Sequence, residues 1–310
     1  MVTVMICVES VDGVALDHQQ LWLAFCRAYP ARTQTIAGVP WSYIVAGQGR
    51  EVVVLLPGAL GSADTAFHYL LAFAPRYRVL SLDYPPAVDR ANALLAGIVS
   101  LLDREATGAV HLVGGSYSGP VAHALAQRHP ALVRSLIFSN TGLPAHRRVA
   151  TLAMMLALIT QLPPPFLQWG MRRSLRWWLS GTAPLDRFWR DYFAAHVGHY
   201  DRRFLGSRAR ILCDLCNGSP APRKGTTRTV PAWQGPVLIV DAPRDPLFTA
   251  QDRARLRACY PAAVQMTVAA TGHGSALTAT ATHVAAYRRF WEMGESWCGN
   301  TKQTDLRQML

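Results

Sequence analysis

Val110-His111-Leu112-Val113-Gly114-Gly115-Ser116-Tyr117-Ser118-Gly119 is the stretch on which the reading of this chain turns. A short apolar run gives way to small residues around one serine, and a helical pattern follows over 121–128. The pattern is that of a buried strand, a sharp turn bearing the serine, and a helix directly behind it. The small residues have a physical role. The backbone at Ser116 must adopt a strained conformation, and side chains at Gly114 or Gly119 would crowd the turn. The helix behind Ser116 also aims backbone N–H groups at any anion that forms there. A tight Gly/Ser connection or a phosphate loop has a similar local sequence, so the flanking chain has to discriminate.

Working outward, the run 51–56, apolar after Glu51, reads as a strand buried on both faces and ends in Pro57-Gly58-Ala59-Leu60-Gly61-Ser62. A helix starts near 66, a strand spans 77–82 and closes in Asp83, and a helix spans 91–102. After the serine turn, 132–138 forms another strand, ending in Ser139-Asn140-Thr141-Gly142. Before all of these, 13–29 reads as an amphipathic helix, and 34–39 with 41–45 as a hairpin-like pair followed by a turn at Gly47-Gln48-Gly49. Strands resume at 236–240 and 264–268, separated by a helix over 250–259 and followed by Gly272-His273 and a helix over 282–293. Strand and helix alternate with short connections. The expected fold class is therefore α/β, a mostly parallel central sheet with helices on both faces.

Residues 143–235 break the alternation. They show only helical patterns, interrupted at Pro163-Pro164-Pro165, Gly170, Gly181 and Pro184, and are expected to form an inserted helical cap. The expected division is a first core part over 1–142, the cap over 143–235, a second core part over 236–293 and a C-terminal tail over 294–310. Much of the chain's formal charge of +12 falls in the cap, where 143–234 hold fourteen Arg or Lys against four Asp and no Glu. An apolar helix with Leu152, Met154, Met155, Leu156 and Leu158 precedes a basic, Trp-rich one. Together they suggest a lid that accepts an apolar or acyl group, with Leu60, Trp169 and Trp177 as candidate substrate contacts. The basic rim suits an anionic substrate or peripheral contact with an acidic surface.

Composition sets the outer bounds. Half of the 310 residues are hydrophobic and 16% are charged, as in a well-buried globular protein. Residues 1–12 lack the basic start and cleavage-like site of a signal peptide, so a cytoplasmic location is expected. The apolar run 149–162 is too short to span a bilayer. Cys213-Asp214-Leu215-Cys216 is a lone pair without a second pair or a histidine at zinc spacing, so reduced thiols in or beside a helix, and no metal, are expected. The basic charge comes with no nucleic-acid-binding motif, so no nucleic-acid partner is expected.

Ser116, Asp245 and His273 each follow an expected strand, in that order. Active groups gather at the carboxyl ends of parallel strands, which puts all three on one edge. The chemistry needs each type: a hydroxyl nucleophile, an imidazole base near its own pKa, and a carboxylate to orient it. Asp241 is a rival acid, Asp83 reads as a loop-holding carboxylate, and His111, His123, His129 and His283 fall in or at the ends of regular elements.

These features resemble the α/β-hydrolase superfamily, whose Gly-x-Ser-x-Gly nucleophile elbow is matched here with Ser118 at the fifth position and glycine following at Gly119. The resemblance implies an oxyanion hole from the backbone N–H groups of Ala59 and Tyr117. Residues 56–64, 77–85 and the elbow look like the maspardin-like branch, a group regarded partly as binding proteins, with weaker likeness over 136–140 and 237–245. Maspardin departs from the catalytic pattern at the histidine, whereas this chain keeps Gly272-His273. The resemblance implies acyl chemistry rather than alkyl-enzyme chemistry, because an aspartate at the elbow would mark the latter. The leading expectation is a serine hydrolase of small-molecule carboxylic esters or thioesters with no cofactor. The same triad also serves acyl transfer, lactone formation or a non-hydrolytic lyase or cyclase step, and a vestigial site would leave a binding protein.

Overall fold

Val52–Leu56 is five apolar residues, all buried, and its alternation explains the two-sided core. Val53 and Leu55 point to one face of the sheet, Val52, Val54 and Leu56 to the other. Side chains of period two on a strand covered on both sides require this. The computed structural model describes residues 17–179, 181–218, 233–268 and 272–296. Within these, helix α1 (His18–Ala28) leads into strands β1 (Arg32–Ile36), β2 (Val39–Ala46) and β3 (Val52–Leu56), then α2 (Phe67–Phe73), β4 (Arg78–Leu82), α3 (Ala91–Glu105), β5 (Val110–Gly115), α4 (Ser118–Arg128) and β6 (Val133–Ser139). Four helices follow: α5 (His146–Ile159), α6 (Pro164–Trp178), α7 (Pro184–His196) and α8 (Arg202–Gly218). The sheet then resumes with β7 (Val237–Asp241), α9 (Ala250–Cys259), β8 (Val264–Thr267), the single turn α10 (Ser275–Thr278) and α11 (Thr280–Ser296).

The eight strands lie in the order β1-β2-β4-β3-β5-β6-β7-β8. β1 and β2 form an antiparallel hairpin, and β2 is antiparallel to β4. From β4 to β8 every pairing is parallel. The hairpin turns at Ala37-Gly38, both left-handed, so the turn lies between the two strands and Gly47–Gly49 instead leads into β3. The tail expected over 294–310 falls mostly outside the described residues, as does the end of the helical segment at 219–232.

α1, α2, α11 and much of α6 and α7 cover one face of the sheet, with Phe25, Phe67, Leu70, Trp189 and Tyr287 at its centre. α3, α4 and α9 cover the other, where Trp41, Leu94, Leu125 and Phe138 are buried. α8 returns from the helical segment onto this second side, contributing Ile211 and Leu215 and carrying α5 on its outer surface. Cys213 and Cys216 lie in α8 and, like Cys26 and Cys259, form no disulfide among the described residues; burial pushes Cys216 up to about 11. No helix among the described residues is long and apolar enough to cross a membrane.

Candidate active site

The site begins at the end of β5. Ser116 has φ +48°, a left-handed value for a residue with a side chain, in the two-residue step between β5 and α4. The strain is held from both sides. The Ser116 N–H donates to the Ser139 carbonyl (3.0 Å), and Thr141 Oγ1 donates to the Ser116 carbonyl (2.6 Å). The packing also explains the glycines. A Cβ on Gly114 would come within 2.6 Å of the Ser118 carbonyl oxygen, and one on Gly119 within 2.1 Å of Thr141 Oγ1. Only hydrogen fits at either place.

The turn delivers Ser116 to His273. Ser116 Oγ lies 2.6 Å from Nε2 of His273, whose Nδ1 lies 2.8 Å from Oδ2 of Asp245. A carboxylate only accepts, so Nδ1 carries the proton and Nε2 is free to accept the serine hydroxyl proton. Asp245 and His273 are both buried. The other oxygen of Asp245 accepts the N–H groups of Leu247 (2.8 Å) and Phe248 (3.2 Å), which fixes the carboxylate in the loop before α9. Trp178 and Phe248 lie nearly parallel to the imidazole ring, with centroids 5.6 and 5.8 Å away. Asn140, in a left-handed conformation at the end of β6, donates to the His273 carbonyl (2.9 Å) and to Ser275 Oγ (2.6 Å), tying down the loop that carries the histidine.

The other candidates are occupied elsewhere. Asp241 accepts a hydrogen bond from Arg257 (2.7 Å), and Asp83 accepts the N–H of Ala63 (2.5 Å); burial raises both carboxyls. His111 bonds Ser135 and His123 bonds Tyr260, and burial pushes each imidazole down to about 4. His283, in α11, donates to the carbonyl of Ala279 just before that helix, and His129 ends α4.

Ser116 and His273 open into a cavity of about 550 Å³ whose walls are mostly apolar. Ala59 and Leu60 line it from the loop after β3, and Met171, Leu175, Trp177 and Trp178 from α6. Two hydroxyls anchor the Ala59 loop to the helices above it. Tyr200 donates to the Leu60 carbonyl (3.1 Å), and Tyr192 donates to Asp64 (2.9 Å), which also accepts from Trp22. From below, Ser118 donates to the Pro57 carbonyl and pairs with the Tyr84 hydroxyl (2.7 Å). The Tyr117 side chain points away from the cavity into the core, where its hydroxyl donates to the Arg208 carbonyl (3.0 Å).

Two expectations are corrected. Trp169 is 65% exposed and is not among the residues lining the cavity, because it lies on the outer face of α6. The apolar helix α5 contributes nothing to the cavity either; it rests on α8 and, Leu156 apart, turns its Leu and Met side chains outward. Sequence reasoning missed Trp178 and Asn140. Helical spacing carried a signal for the first, since 171, 175 and 178 share a face. A polar residue at the carboxyl end of the strand beside the serine strand was the signal for the second.

Among solved structures, MGS-M2, an alpha/beta hydrolase from a Medee basin deep-sea metagenome library, has a TM-score of 0.69 at 16% identity, covering 87% of this chain and 98% of that one. The enol-lactonase of Burkholderia xenovorans LB400 has a TM-score of 0.69 at 16% identity, covering 84% and 100%. Epoxide hydrolase A of Mycobacterium thermoresistibile has a TM-score of 0.65 at 17% identity, covering 84% and 98%. Such identities speak for the shared fold. No curated protein matches the sequence. The sequence profile of the alpha/beta hydrolase family matches residues 53–286, most of the sequence, with all but the first residue of β3, the serine turn, Asp245 and His273 inside the match. The strand order, the turn at Ser116 and this match agree: the chain belongs to the alpha/beta hydrolase family.

Proposed function

We propose that the protein is a serine hydrolase that cleaves a carboxylic ester or thioester through an acyl-enzyme on Ser116. The observation that carries the reading is the unbroken relay from Ser116 Oγ through His273 to Asp245, 2.6 and 2.8 Å long, at the base of an apolar cavity. His273 Nε2 takes the Ser116 proton as Oγ attacks the substrate carbonyl. The backbone N–H groups of Ala59 and Tyr117 hold the oxyanion, a contribution of about 3 kcal/mol per donor. The imidazolium, stabilised by Asp245, then protonates the leaving alkoxide or thiolate. Water, deprotonated by the same nitrogen, releases the acid and restores the serine.

Acyl chemistry is favoured because the nucleophile is a hydroxyl; attack by serine on a carbonyl gives an ester that water can cleave. The apolar walls from Leu60, Leu175, Trp177 and Phe193 suit an aliphatic or aromatic acyl group. Helices α6 and α7, which supply the cap side of these walls, set this choice. A maspardin-like binding role is less well supported, since a vestigial site has no need of a carboxylate held by two N–H groups and aimed at the imidazole. The fold neighbours include a lactonase and an epoxide hydrolase, so fold alone does not choose the chemistry.

The test is labelling by a fluorophosphonate probe, followed by a series of p-nitrophenyl and thioester acyl chains. Labelling should require both Ser116 and His273, and rates should rise with acyl length until the cavity is filled. A folded wild-type protein that neither labels nor hydrolyses any member of the series refutes the proposal.

A further inference from the structure

Residues 149–171 contain no Asp, Glu, Lys, Arg or His. They run down α5, turn through Pro163 and continue into the first half of α6. In the folded chain most of their large side chains face outward, with Leu156, Leu167 and Met171 turned inward: Met154, Met155, Leu158, Leu162, Phe166 and Trp169 are each between 49% and 66% exposed. Basic residues begin at both ends of this stretch. His146 and Arg147 precede it, Arg172, Arg173 and Arg176 follow it, and all five are exposed. On both helices, then, the apolar residues lie toward the turn and the basic ones toward the open end. No Asp or Glu occurs between 143 and 185. The open end is anchored to the core, where Arg148 pairs with the buried Asp252 and donates to the Leu247 carbonyl (2.5 Å).

An apolar face of this extent is costly in water unless something covers it. The cavity beneath does not use it; that wall comes from the opposite side of α6, from Met171, Leu175 and Trp178. A second copy packed against the same face would bring two basic collars together, with no acidic side chain on either hairpin to offset them. An anionic bilayer answers both halves at once, since acyl chains receive the turn and lipid phosphates receive the arginines. The helices are 14 and 15 residues long, which suits lying in the interface rather than spanning it.

We propose that the 149–171 hairpin docks this protein on the surface of an anionic lipid membrane, with Leu158, Leu162 and Phe166 inserted among acyl chains and Arg147, Arg172 and Arg173 on lipid phosphates. Trp177, 69% exposed and lining the cavity with Ser116, stands beside the docked face. Resting on the function proposed above, the substrate class that reaches Ser116 from this position is a membrane-resident acyl lipid.

Vesicle flotation tests the docking without using the catalytic site. Wild type and Ser116→Ala should both bind vesicles containing about one third phosphatidylglycerol at least about tenfold more strongly than pure phosphatidylcholine vesicles. The double variants L158E/F166E and R172E/R173E should lose that binding while hydrolysing a soluble short-chain ester within about twofold of wild type, because none of these residues lines the cavity. Circular dichroism melting keeps the variants interpretable if no ester is cleaved. The docking is overturned if wild type ignores anionic vesicles, or if the double variants bind as well as wild type. It is also overturned if sedimentation shows a wild-type dimer, broken by L158E/F166E, that leaves the hairpin covered in place of vesicle binding. Vesicle binding with no turnover of any ester by wild type would remove the hydrolase reading and leave the docking standing; turnover without vesicle binding would do the reverse.

Discussion

Helices α2 and α5 are both rich in apolar residues and have opposite surroundings. All seven residues of α2 are buried, with Phe67 and Leu70 fully enclosed between the sheet and the aromatic side chains of α7 and α11. Of the fourteen residues of α5 only Val149 is buried. Apolar content therefore states that a helix needs a cover without stating which one. α2 finds its cover in the sheet, where it lies in the crossover between the neighbouring strands β3 and β4. α5 rests on α8 and leaves Leu152, Met154, Met155 and Leu158 exposed. The proposed catalytic centre, with Asp245 and His273 buried, belongs to the first kind of environment and the proposed docking face to the second, so the two should respond separately to mutation.

The largest separation is expected at Ser116. Ser116→Ala should lower kcat/KM by about 10⁴-fold or more, leaving cavity and oxyanion donors in place. Thermal stability should hold or rise slightly, since the φ of +48° strains any side chain there. A residual rate within tenfold of wild type would mean that the relay is not the reacting group.

Next is the contrast between the helices themselves. Leu70→Ala should cost about 3 kcal/mol in urea unfolding, because the enclosed site leaves a cavity. Leu158→Ala, at a side chain 66% exposed, should stay within about 0.5 kcal/mol. Equal effects would show that α5 is packed more tightly than its exposure implies.

This contrast also marks how far the sequence could be read. The central strands were legible because a strand buried on both faces has one pattern, as in Val52–Leu56, and because Ser116, Asp245 and His273 each close such a strand or the loop after it. The cap was legible as helical and no further. Leu152, Met155 and Leu158 read as the lining of a lid, yet they face outward, because the face a helix buries depends on a neighbour that periodicity does not name. Trp177 and Trp178 are adjacent in sequence and about 100° apart around a helix; both reach the cavity, but only Trp178 lies over His273. Asn140 was passed over as a strand end, since its task, holding the His273 carbonyl, joins residues 133 apart.

A third effect comes from the histidine buried in α2. Burial lowers the His68 imidazole to about 3 from an ordinary 6.5, so folded His68 stays neutral while the unfolded chain takes up a proton. Its folded pKa is depressed, so the stability it permits is present above pH 6.5 and is lost as pH falls toward 3. Between pH 7 and 5 the loss from this group is about 2 kcal/mol. His111 and His123, lowered to about 4, act in the same direction. The urea midpoint should drop over that range, and by less in His68→Gln. A midpoint indifferent to pH from 7 to 5 would place His68 in water, and α2 with it.

The smallest effect sits where this chain departs from the family's elbow. Ser118 stands at the position glycine takes in Gly-x-Ser-x-Gly, and its hydroxyl joins Tyr84 to the Pro57 carbonyl, linking the serine turn to the loop that carries Ala59. Ser118→Gly restores the family residue and removes that link, leaving the Tyr84 hydroxyl and the Pro57 carbonyl without this partner. Stability should fall by about 1–2 kcal/mol, since both groups are buried. If the link also sets the distance from Ala59 to Ser116, kcat should fall by less than about tenfold with KM unchanged, because an oxyanion donor acts on the transition state more than on the bound ester. Ser118→Ala, which keeps helix propensity, should reproduce the kcat change, and a kcat equal to wild type in both variants would confine Ser118 to holding the core together.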